Sequence, residues 1–343
     1  MSTGTKLGLA FVAFVMLIGG IIAFNYVWKY LGGNVTDKEA YLYIHTGADF
    51  EQVMQEIREK GILEDSASFR TAAIKMNYIQ KVKPGKYALQ PGMSNRRLIN
   101  MLKSGNQEPV KLNFQNIRLK EDFAGEIAKK IEADSSSISN LLDSTQFLDL
   151  YGFNKENVYT VFIPNSYELY WNTDAESFFK RMHEEYQKFW NEERIAKAKK
   201  LGLNPIEVSI LASIVDGEAL VNSEMPTIAG LYLNRYQKGM KLESDPTVIF
   251  ANKDFSIRRV LNKHLSKDSP YNTYKYAGLP PGPINMPSIA AIDAVLNFKK
   301  HPYIYMCAKE DFSGYHNFAV SLAEHQANAK KFQQALNERN IKK

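Results

Sequence analysis

Cysteine is nearly absent from this chain, since Cys307 is the only one among 343 residues. A single thiol excludes an intramolecular disulfide and cannot supply the cysteine ligands of a structural zinc site. The six histidines contain no HExxH pattern, and no two of them lie four residues apart. We therefore expect no metal site, and none of the motifs predicts a cofactor.

Low-complexity tracts and clustered charge are also missing, although the formal net charge is +6. The lysines and arginines are dispersed, and no nucleic-acid-binding motif accompanies them. This pattern favours a solvated, mildly basic surface and argues against a nucleic-acid partner. Such a surface suits work beside anionic lipids or an acidic polymer.

One long apolar run is present at the N-terminus, where residues 7–28 contain no charged side chain and lie between Lys6 and Lys29. Because a helix rises about 1.5 Å per residue, this run matches the roughly 30 Å hydrocarbon core of a bilayer. Tyr26 and Trp28 lie where interfacial aromatic residues are expected. A cleaved signal peptide is the alternative. We expect a single-pass anchor, with residues 1–6 in the cytoplasm and the bulk of the chain translocated.

The segment 36–106 has the pattern of a small α/β unit. Alternating residues predict strands at 41–45 and 84–89, and capping residues and glycines predict helices at 49–60, 66–74 and 94–102. Whether this unit is a spacer or a glycan-binding module stays open. Residues 107–343 predict a larger mixed α+β domain, with a strand at 107–113, a helix capped by the serines at 135–137 and one long amphipathic helix at 178–200.

A further helix is predicted from Pro205 to Val221, with Asn204 as its N-cap and proline at the first helical position. The residues three, four and seven positions before Glu218 are apolar, so this acid shares their face: Val215, Ile214 and Leu211. Asp216 points the other way and does not pair with it. Burial raises the pKa of a carboxyl group, which suits a general acid for glycosidic bond cleavage. The alternative is a helix-end glutamate that turns to solvent.

Several motifs follow in a fixed order along the chain. They are ASIVDGE at 212–218, IAGLYLNRYQKGM at 228–240, SDPTVI at 244–249, YNTY at 271–274, GLPPGPI at 278–284, and the segments HNF at 316–318 and EH at 324–325. Together they resemble the MltG (YceG-like) family of endolytic murein transglycosylases over about residues 110–337. The segment 36–106 is similar to the LysM-like subdomain of that family, and the single N-terminal anchor fits it as well.

The resemblance implies an α+β fold with an N-terminal transmembrane helix at 7–28, a LysM-like α/β subdomain at 36–106 and a mixed α+β catalytic domain at 107–343. It implies a peptidoglycan lytic transglycosylase without a cofactor, with Glu218 as the catalytic acid. Candidate substrate-binding residues come from the later motifs: Asp245, Thr247, Asn272, Tyr274, Leu279 and Pro280. The chain departs from the family pattern at Asp216 and Gly217, where Glu and Lys are usual, and in the turn at 285–288.

A lytic transglycosylase needs one carboxylic acid, whereas glycoside hydrolases usually use two. By the resemblance, Glu218 protonates the oxygen that leaves N-acetylmuramic acid. Its carboxylate then accepts the proton of the C6 hydroxyl of that sugar, and a 1,6-anhydro ring closes. The resemblance also implies an enzyme of the bacterial plasma (inner) membrane with an extracytoplasmic catalytic domain. It suggests nascent peptidoglycan strands as substrate and a cell-wall synthase complex as a partner.

Two other functions stay open. One is an inactive glycan-binding or cell-wall scaffold protein. The other is a two-carboxylate murein hydrolase, which requires that Asp245 approach Glu218. The sequence fits equally well an Asp245 that caps a helix with Pro246 at the first helical position.

Overall fold

The computed structural model describes residues 3–115 and 117–339, which form two compact units. The first unit contains the chain up to Lys111 together with residues 130–133 and 168–174. The second unit contains the rest of the described chain. Residues 1 and 2 of the predicted cytoplasmic tail lie outside the described residues.

The chain begins with an apolar helix, α1, from Thr3 to Leu31. At 29 residues it is long enough to cross a bilayer, and none of its apolar stretch is buried inside the protein (0%). An exposed apolar surface of this length is not that of a soluble core helix. The helix has the length and composition of a membrane anchor or of a signal sequence.

The first unit pairs two short antiparallel strands and packs helices against them. In chain order the elements are β1 (Tyr41–Ile44), α2 (Phe50–Glu59), α3 (Ser66–Lys75), β2 (Gly85–Ala88) and α4 (Asn95–Ser104). Tyr41 lies opposite Ala88 and Ile44 opposite Gly85. The predicted order of strand, helix, helix, strand, helix is therefore confirmed for these residues.

Local capping chemistry sets the helix boundaries of the first unit. The Asp49 side chain accepts a hydrogen bond from the backbone N–H of Gln52, and the Gln52 side chain accepts one from Asp49, which closes a capping box at the start of α2. Ser94 caps α4 in a similar way, and Gly105 ends it in the left-handed region with φ 75°.

The end of α1 is joined to the first unit without a free linker. Tyr30 packs against the core of the unit, and the Asn95 side chain donates to the Lys29 carbonyl at 2.8 Å. Immediately after the helix, the backbone N–H groups of residues 34 and 35 donate to the Met93 carbonyl, and that of Thr36 donates to the Ile62 carbonyl. The chain is thus hydrogen-bonded from its first residues beyond α1.

The next part of the chain is mostly helical. Its elements are β3 (Val110–Phe114), α5 (Lys120–Ala128), α6 (Ser135–Asp143), α7 (Thr145–Asp149), a 3-10 turn (Val158–Val161), β4 (Asn165–Leu169), α8 (Ala175–Phe189) and α9 (Glu192–Lys200). Strands β3 and β4 pair as a second two-stranded sheet. This agrees with the predicted mixed α+β class.

Two sequence predictions in this part were wrong in detail. The predicted helix 178–200 is broken, because Asn191 accepts a hydrogen bond from the Arg194 backbone N–H and so starts a new helix, while Trp190 is buried at the break. The helix α6 is capped by Asp134 and not by the serines that follow it. In both places a short polar side chain, Asn191 or Asp134, is the N-cap of the helix.

The remaining elements build the region around the candidate acid. They are α10 (Pro205–Glu218), a 3-10 turn (Asn222–Glu224), α11 (Met225–Gln237), α12 (Asp245–Asn252), α13 (Asn262–Leu265), α14 (Ile289–Leu296), β5 (Tyr305–Ala308), β6 (His316–Ala319) and α15 (Leu322–Glu338). Every residue from Val208 to Val215 is buried, so α10 is a central helix that packs against α11, α12 and α14. The N-cap Asn204 and Pro205 are confirmed, but α10 ends at Glu218 and not at Val221.

Candidate active site

A cavity of about 410 Å³ opens in the second unit at the C-terminal end of α10. Its walls come from α10, α11, the start of α12, the loop that carries Tyr274, strands β5 and β6, and α15. Polar side chains line it, and the ones that carry chemistry are Glu218, Tyr232, Arg235, Asp245, Tyr274 and His316. The predicted acid is therefore half-buried in a cavity wall and does not turn out to bulk solvent.

Two hydroxyl groups hold the Glu218 carboxyl group. Ser244 donates to Oε1 at 2.7 Å and Tyr232 donates to the same oxygen at 2.9 Å. Among the described residues, no donor lies within hydrogen-bonding distance of Oε2. A carboxylic acid held in this way has its carbonyl oxygen fixed by two donors, and its second oxygen is left to carry a transferable proton.

Burial raises the pKa of Glu218 above the ordinary value of a glutamate. The hydrogen bonds from Ser244 and Tyr232 act in the opposite direction because they stabilise the carboxylate, and so does the charge of His316. The negative charge of Asp245 raises the pKa further. The direction of the sum is upward, which favours the protonated form that a general acid requires.

The two donors to Glu218 are themselves buried and fixed. Tyr232 lies on α11 with 2% of its surface exposed, and burial raises its pKa well above the usual value, so it stays a donor. Ser244 is fully buried, and its backbone N–H donates to Thr273 Oγ1 at 3.0 Å. The sequence analysis missed both residues, although a tyrosine inside an otherwise buried apolar helix is a signal that some partner must satisfy its hydroxyl.

Asp245 and Tyr274 lie in the same cavity as Glu218, as the sequence analysis expected of residues that line the cleft. The Tyr274 hydroxyl donates to Asp245 Oδ1 at 2.7 Å. Burial and the neighbouring carboxylate raise the pKa of Tyr274, so its hydroxyl keeps its proton. The N-cap position of α12 belongs to Ser244, with Asp245 at the first helical position, and neither side chain caps the helix. Asp245 is an exposed carboxylate of the cavity.

Thr247 and Asn272 lie elsewhere than the substrate-binding expectation placed them. Both are fully buried, and neither is among the residues that line the cavity. The Asn272 amide donates to the carbonyls of Leu265 and Lys267, at 2.9 and 2.8 Å, and its oxygen accepts from the Tyr274 backbone N–H. Thr247 shares a hydrogen bond with Thr273 at 2.7 Å. Their polar groups are used to shape the loops that present Ser244 and Tyr274.

Leu279 and Pro280 are likewise absent from the described residues that line the cavity. Pro280 is buried and Leu279 is half-buried. The two residues carry no polar side-chain group, so a direct contact with a sugar substituent would have to be apolar. Their motif nevertheless leads into Ile284, whose backbone N–H donates to the Ser213 side chain of α10 at 3.0 Å.

The residues just before Glu218 agree with the sequence interpretation. Asp216 accepts hydrogen bonds from Ser288, at 2.7 Å from the hydroxyl, and so points away from the acid. A Cβ atom on Gly217 would lie 3.0 Å from Cβ and 3.2 Å from Cγ of Pro246. The glycine therefore permits the start of α12, and with it Ser244, to approach the end of α10 closely.

A buried carboxylate and a histidine form a second polar pair at the cavity. Glu224 accepts from the His316 backbone N–H at 2.8 Å and pairs with its ring Nδ1 at 2.7 Å. The side chains are 5% and 13% exposed, respectively. No local sequence pattern predicts this pair, because 92 residues separate His316 from Glu224.

The chain is similar in sequence to proteins of known family. The sequence model described as the YceG-like family matches residues 42–331. The endolytic murein transglycosylase of Bacillus subtilis (strain 168) is 37% identical over 147 residues, which are 42% of this chain and 39% of that protein. The endolytic murein transglycosylase of Streptococcus pneumoniae serotype 2 (strain D39) is 26% identical over 337 residues, which are 88% of this chain and 60% of that protein.

The fold also has a counterpart among solved structures. The crystal structure of a yceG-like protein from Listeria monocytogenes superposes with a TM-score of 0.56 and 24% identity, over 85% of this chain and 99% of that one. This likeness supports the fold alone. The chain spans between 39% and 60% of the length of the two curated relatives.

Proposed function

The chain belongs to the YceG-like family, and from this premise we propose that it is a membrane-anchored peptidoglycan lytic transglycosylase. It cleaves the bond between N-acetylmuramic acid and N-acetylglucosamine inside glycan strands and leaves 1,6-anhydro ends. The observation that carries the proposal is the half-buried Glu218 in the cavity wall, whose Oε1 is fixed by two donors while Oε2 has no donor among the described residues. The names of the relatives, endolytic murein transglycosylases, support the same activity.

In the proposed reaction Glu218 acts as the general acid. Its Oε2 proton passes to the glycosidic oxygen as the bond from C1 of N-acetylmuramic acid to that oxygen breaks. The raised pKa keeps the group protonated at pH values where an ordinary glutamate is ionised. Ser244 and Tyr232 then stabilise the carboxylate that remains, since each already donates to Oε1.

The C6 hydroxyl of the same sugar replaces water as the nucleophile. Its oxygen bonds to C1 while its proton leaves to a base, so the products differ from hydrolytic ones by one water. Because the attacking group belongs to the bound sugar, the cavity has to hold that sugar in a bent geometry and keep water from C1. Asp245 and Tyr274 lie in the cavity wall and are candidate contacts for the sugar substituents.

The cellular setting of the proposal follows from α1 and from the family. We propose that α1 is a single-pass anchor in the bacterial plasma membrane, with the rest of the chain on the outer side. Residues 36–106 would be a LysM-like subdomain. Glycan strands that emerge beside the membrane are then the nearest substrate, so the enzyme would end nascent strands, and a cell-wall synthase complex is its natural partner.

Product ends test the activity directly. The full-length protein in detergent, wild type and Glu218→Gln, is incubated with uncrosslinked murein glycan, and the new ends are identified by mass spectrometry. We expect ends lighter by one water than hydrolytic ends, and a rate at least about 10²-fold lower for the variant, as for loss of a general acid. A folded wild-type protein that leaves the glycan intact would contradict the proposal and favour the glycan-binding scaffold.

A two-carboxylate hydrolase is the second candidate, because Asp245 is an exposed carboxylate in the same cavity as Glu218. A hydrolase would produce reducing ends that contain an oxygen atom from labelled water. Asp245→Asn would then abolish turnover, as removal of the second carboxylate does in glycoside hydrolases. In the transglycosylase, the same variant keeps anhydro products and changes mainly their pH dependence.

A further inference from the structure

The cavity contains a proton-carrying group that the acid role of Glu218 does not use. His316 lines the cavity on β6, and its ring Nδ1 lies 2.7 Å from Glu224 Oε2. The other oxygen of Glu224 accepts the backbone N–H of the same histidine at 2.8 Å. One buried carboxylate is thus bonded both to the backbone and to the ring of one residue, which holds Nδ1 against the carboxylate.

The partner of Nδ1 decides which ring nitrogen can accept a proton. An ionised carboxylate can only accept, so the shared hydrogen lies on Nδ1 and the lone pair of a neutral ring lies on Nε2. Among the described residues, Nε2 has no hydrogen-bond partner, and it is not a buried polar atom. An imidazole that lines the cavity and is bonded through Nδ1 to a buried carboxylate has the arrangement of a general base.

We propose that Nε2 of His316 accepts the proton of the C6 hydroxyl, so that acid and base are two separate groups. The inference rests on the proposed transglycosylase function. The C1–O6 bond forms and the C1 bond to the leaving oxygen breaks. The O6 proton passes to Nε2, the Glu218 proton passes to the leaving oxygen, and solvent returns both groups to their starting states. The Glu224 carboxylate stabilises the imidazolium formed in between.

This division of roles fits the hydrogen bonds of Glu218. Both donors of the carboxylate act on Oε1, and they lower its tendency to take up a proton again. With a separate base, the O6 proton can be removed while the bond to the leaving oxygen breaks. A single acid–base group would first have to give up its own proton. The charge of His316 also lowers the pKa of Glu218, as expected of two groups in one small cavity.

Other ionisable groups face the same cavity and contribute to its pH dependence. Arg235 on α11 forms an ion pair with Glu243, which lies just before α12. Tyr232, Asp245 and Tyr274 line the same cavity, where Tyr232 donates to Glu218 and Tyr274 donates to Asp245. Cys307 on β5 and His325 on α15 complete the wall, and burial raises the pKa of the first and lowers that of the second. Among the described residues of this wall, His316 is the imidazole that is bonded to a carboxylate, whereas His325 Nδ1 is buried without a hydrogen-bond partner.

The test is the pH dependence of the full-length enzyme in detergent, with anhydro product measured on uncrosslinked glycan. For the wild type we expect a bell-shaped pH profile of kcat/KM, with an acidic limb because the base must be unprotonated and a basic limb because the acid must be protonated. His316→Asn should lower kcat at least about 10²-fold and lose the acidic limb. Glu224→Gln should keep that limb but lower kcat, because the imidazolium loses its carboxylate partner.

The matched control is His183→Asn. His183 belongs to the same unit but packs among aromatic rings, including Phe179 and Tyr186, and is not a cavity residue. It should keep both limbs of the profile. A folded His316→Asn enzyme that retains the acidic limb would overturn the base assignment, even if its rate falls. A wild type that makes no anhydro ends would instead reject the underlying function.

Discussion

At the scale of single residues, the pKa of the Glu218 carboxyl group is set by opposing influences. Burial and the Asp245 charge raise its pKa, whereas Ser244, Tyr232 and His316 lower it. The group is therefore held as an acid without losing the donors that stabilise its conjugate base. Apart from burial, each influence comes from a different side chain, so each of these contributions to the pKa can be removed separately.

Variants that remove these influences should shift the basic limb of the activity profile. Loss of a hydrogen-bond donor and loss of a negative charge should shift it in opposite directions. The acid works only when protonated, so activity falls as pH rises through the pKa of Glu218. Ser244→Ala and Tyr232→Phe each remove a donor to the carboxylate and should move this limb to higher pH. Asp245→Asn removes a negative charge and should move it to lower pH. Initial rates of anhydro-product formation across pH measure both shifts.

Asp216→Asn provides the control for this series. It removes a carboxylate from the same helix, but Asp216 is bonded to Ser288 and points away from the cavity. The limb should stay in place in this variant. If Asp216→Asn moved the limb as far as Asp245→Asn does, the shift would report the general charge of the protein and not the contacts of Glu218.

At the scale of elements, the site depends on how loops are fixed to helices. Ser244 reaches Glu218 because Gly217 lets α12 approach α10 and because Thr273 holds the Ser244 backbone. Asn272 in turn holds the loop that carries Thr273 and Tyr274. A chain of buried hydrogen bonds therefore connects the YNTY and SDPTVI motifs to the acid.

Asn272→Ala should act on stability more than on substrate binding. The variant leaves two backbone carbonyls without their amide donor, and each lost hydrogen bond at these part-buried positions costs about 0.5–1.5 kcal/mol. Thermal unfolding should show a lower Tm, because the loop that precedes Tyr274 loses these hydrogen bonds. KM for glycan should change little.

Measurements of Tm and KM also distinguish this structural role of Asn272 from the substrate-binding role that the sequence suggested. A residue that contacts the N-acetyl or hydroxyl groups of the sugar would raise KM and leave the Tm nearly unchanged. Tyr274→Phe is the comparison variant, because it removes a hydroxyl that donates to Asp245 in the cavity and leaves the backbone of the loop unaltered.

Much of the element pattern was predictable because its signals are local. The helices of the first unit begin at Asp49 and Ser94 and one ends at Gly105, where the sequence places a cap or a left-handed glycine. The N-cap of α10 and the direction of Asp216 followed from a spacing of three or four residues in the same way. The break at Asn191 escaped notice because the apolar periodicity continues across it.

The contacts that complete the site could not be predicted because they join distant segments. Ser244 is 26 residues from Glu218, and Glu224 is 92 residues from His316. The motif residues Thr247 and Asn272 were expected in the cleft, yet their polar groups are used inside the loops. Motif membership indicated which loops surround the acid, but not which side chain of each loop faces it.

At the scale of the whole molecule, the proposed single-pass topology can be tested with vesicles. In membranes sealed with the native outer face exposed, an added protease should digest the chain beyond α1 and protect only the N-terminal helix, since α1 (Thr3–Leu31) is the one apolar helix of the described chain that is long enough to span. Inverted membranes should protect the folded units until detergent is added. Mass spectrometry of the protected fragment gives the boundary.

Two other results would contradict the anchor. A mature protein that begins after α1 would show that the helix is a removed signal sequence. Digestion of the folded units in inverted vesicles would show that they lie in the cytoplasm. In the second case the proposed substrate, which lies outside the membrane, would be out of reach.

The hydrogen-bonded junction between α1 and the first unit limits how far that unit can travel. A flexible linker of n residues would let a domain wander about 5–6 Å × √n from its anchor. Here the backbone at residues 34–36 is already bonded to Met93 and Ile62, and Tyr30 is packed in the core, so n is close to zero. If α1 spans the bilayer, the first unit stays at a constant height above the lipid, and a glycan strand meets it only at that level.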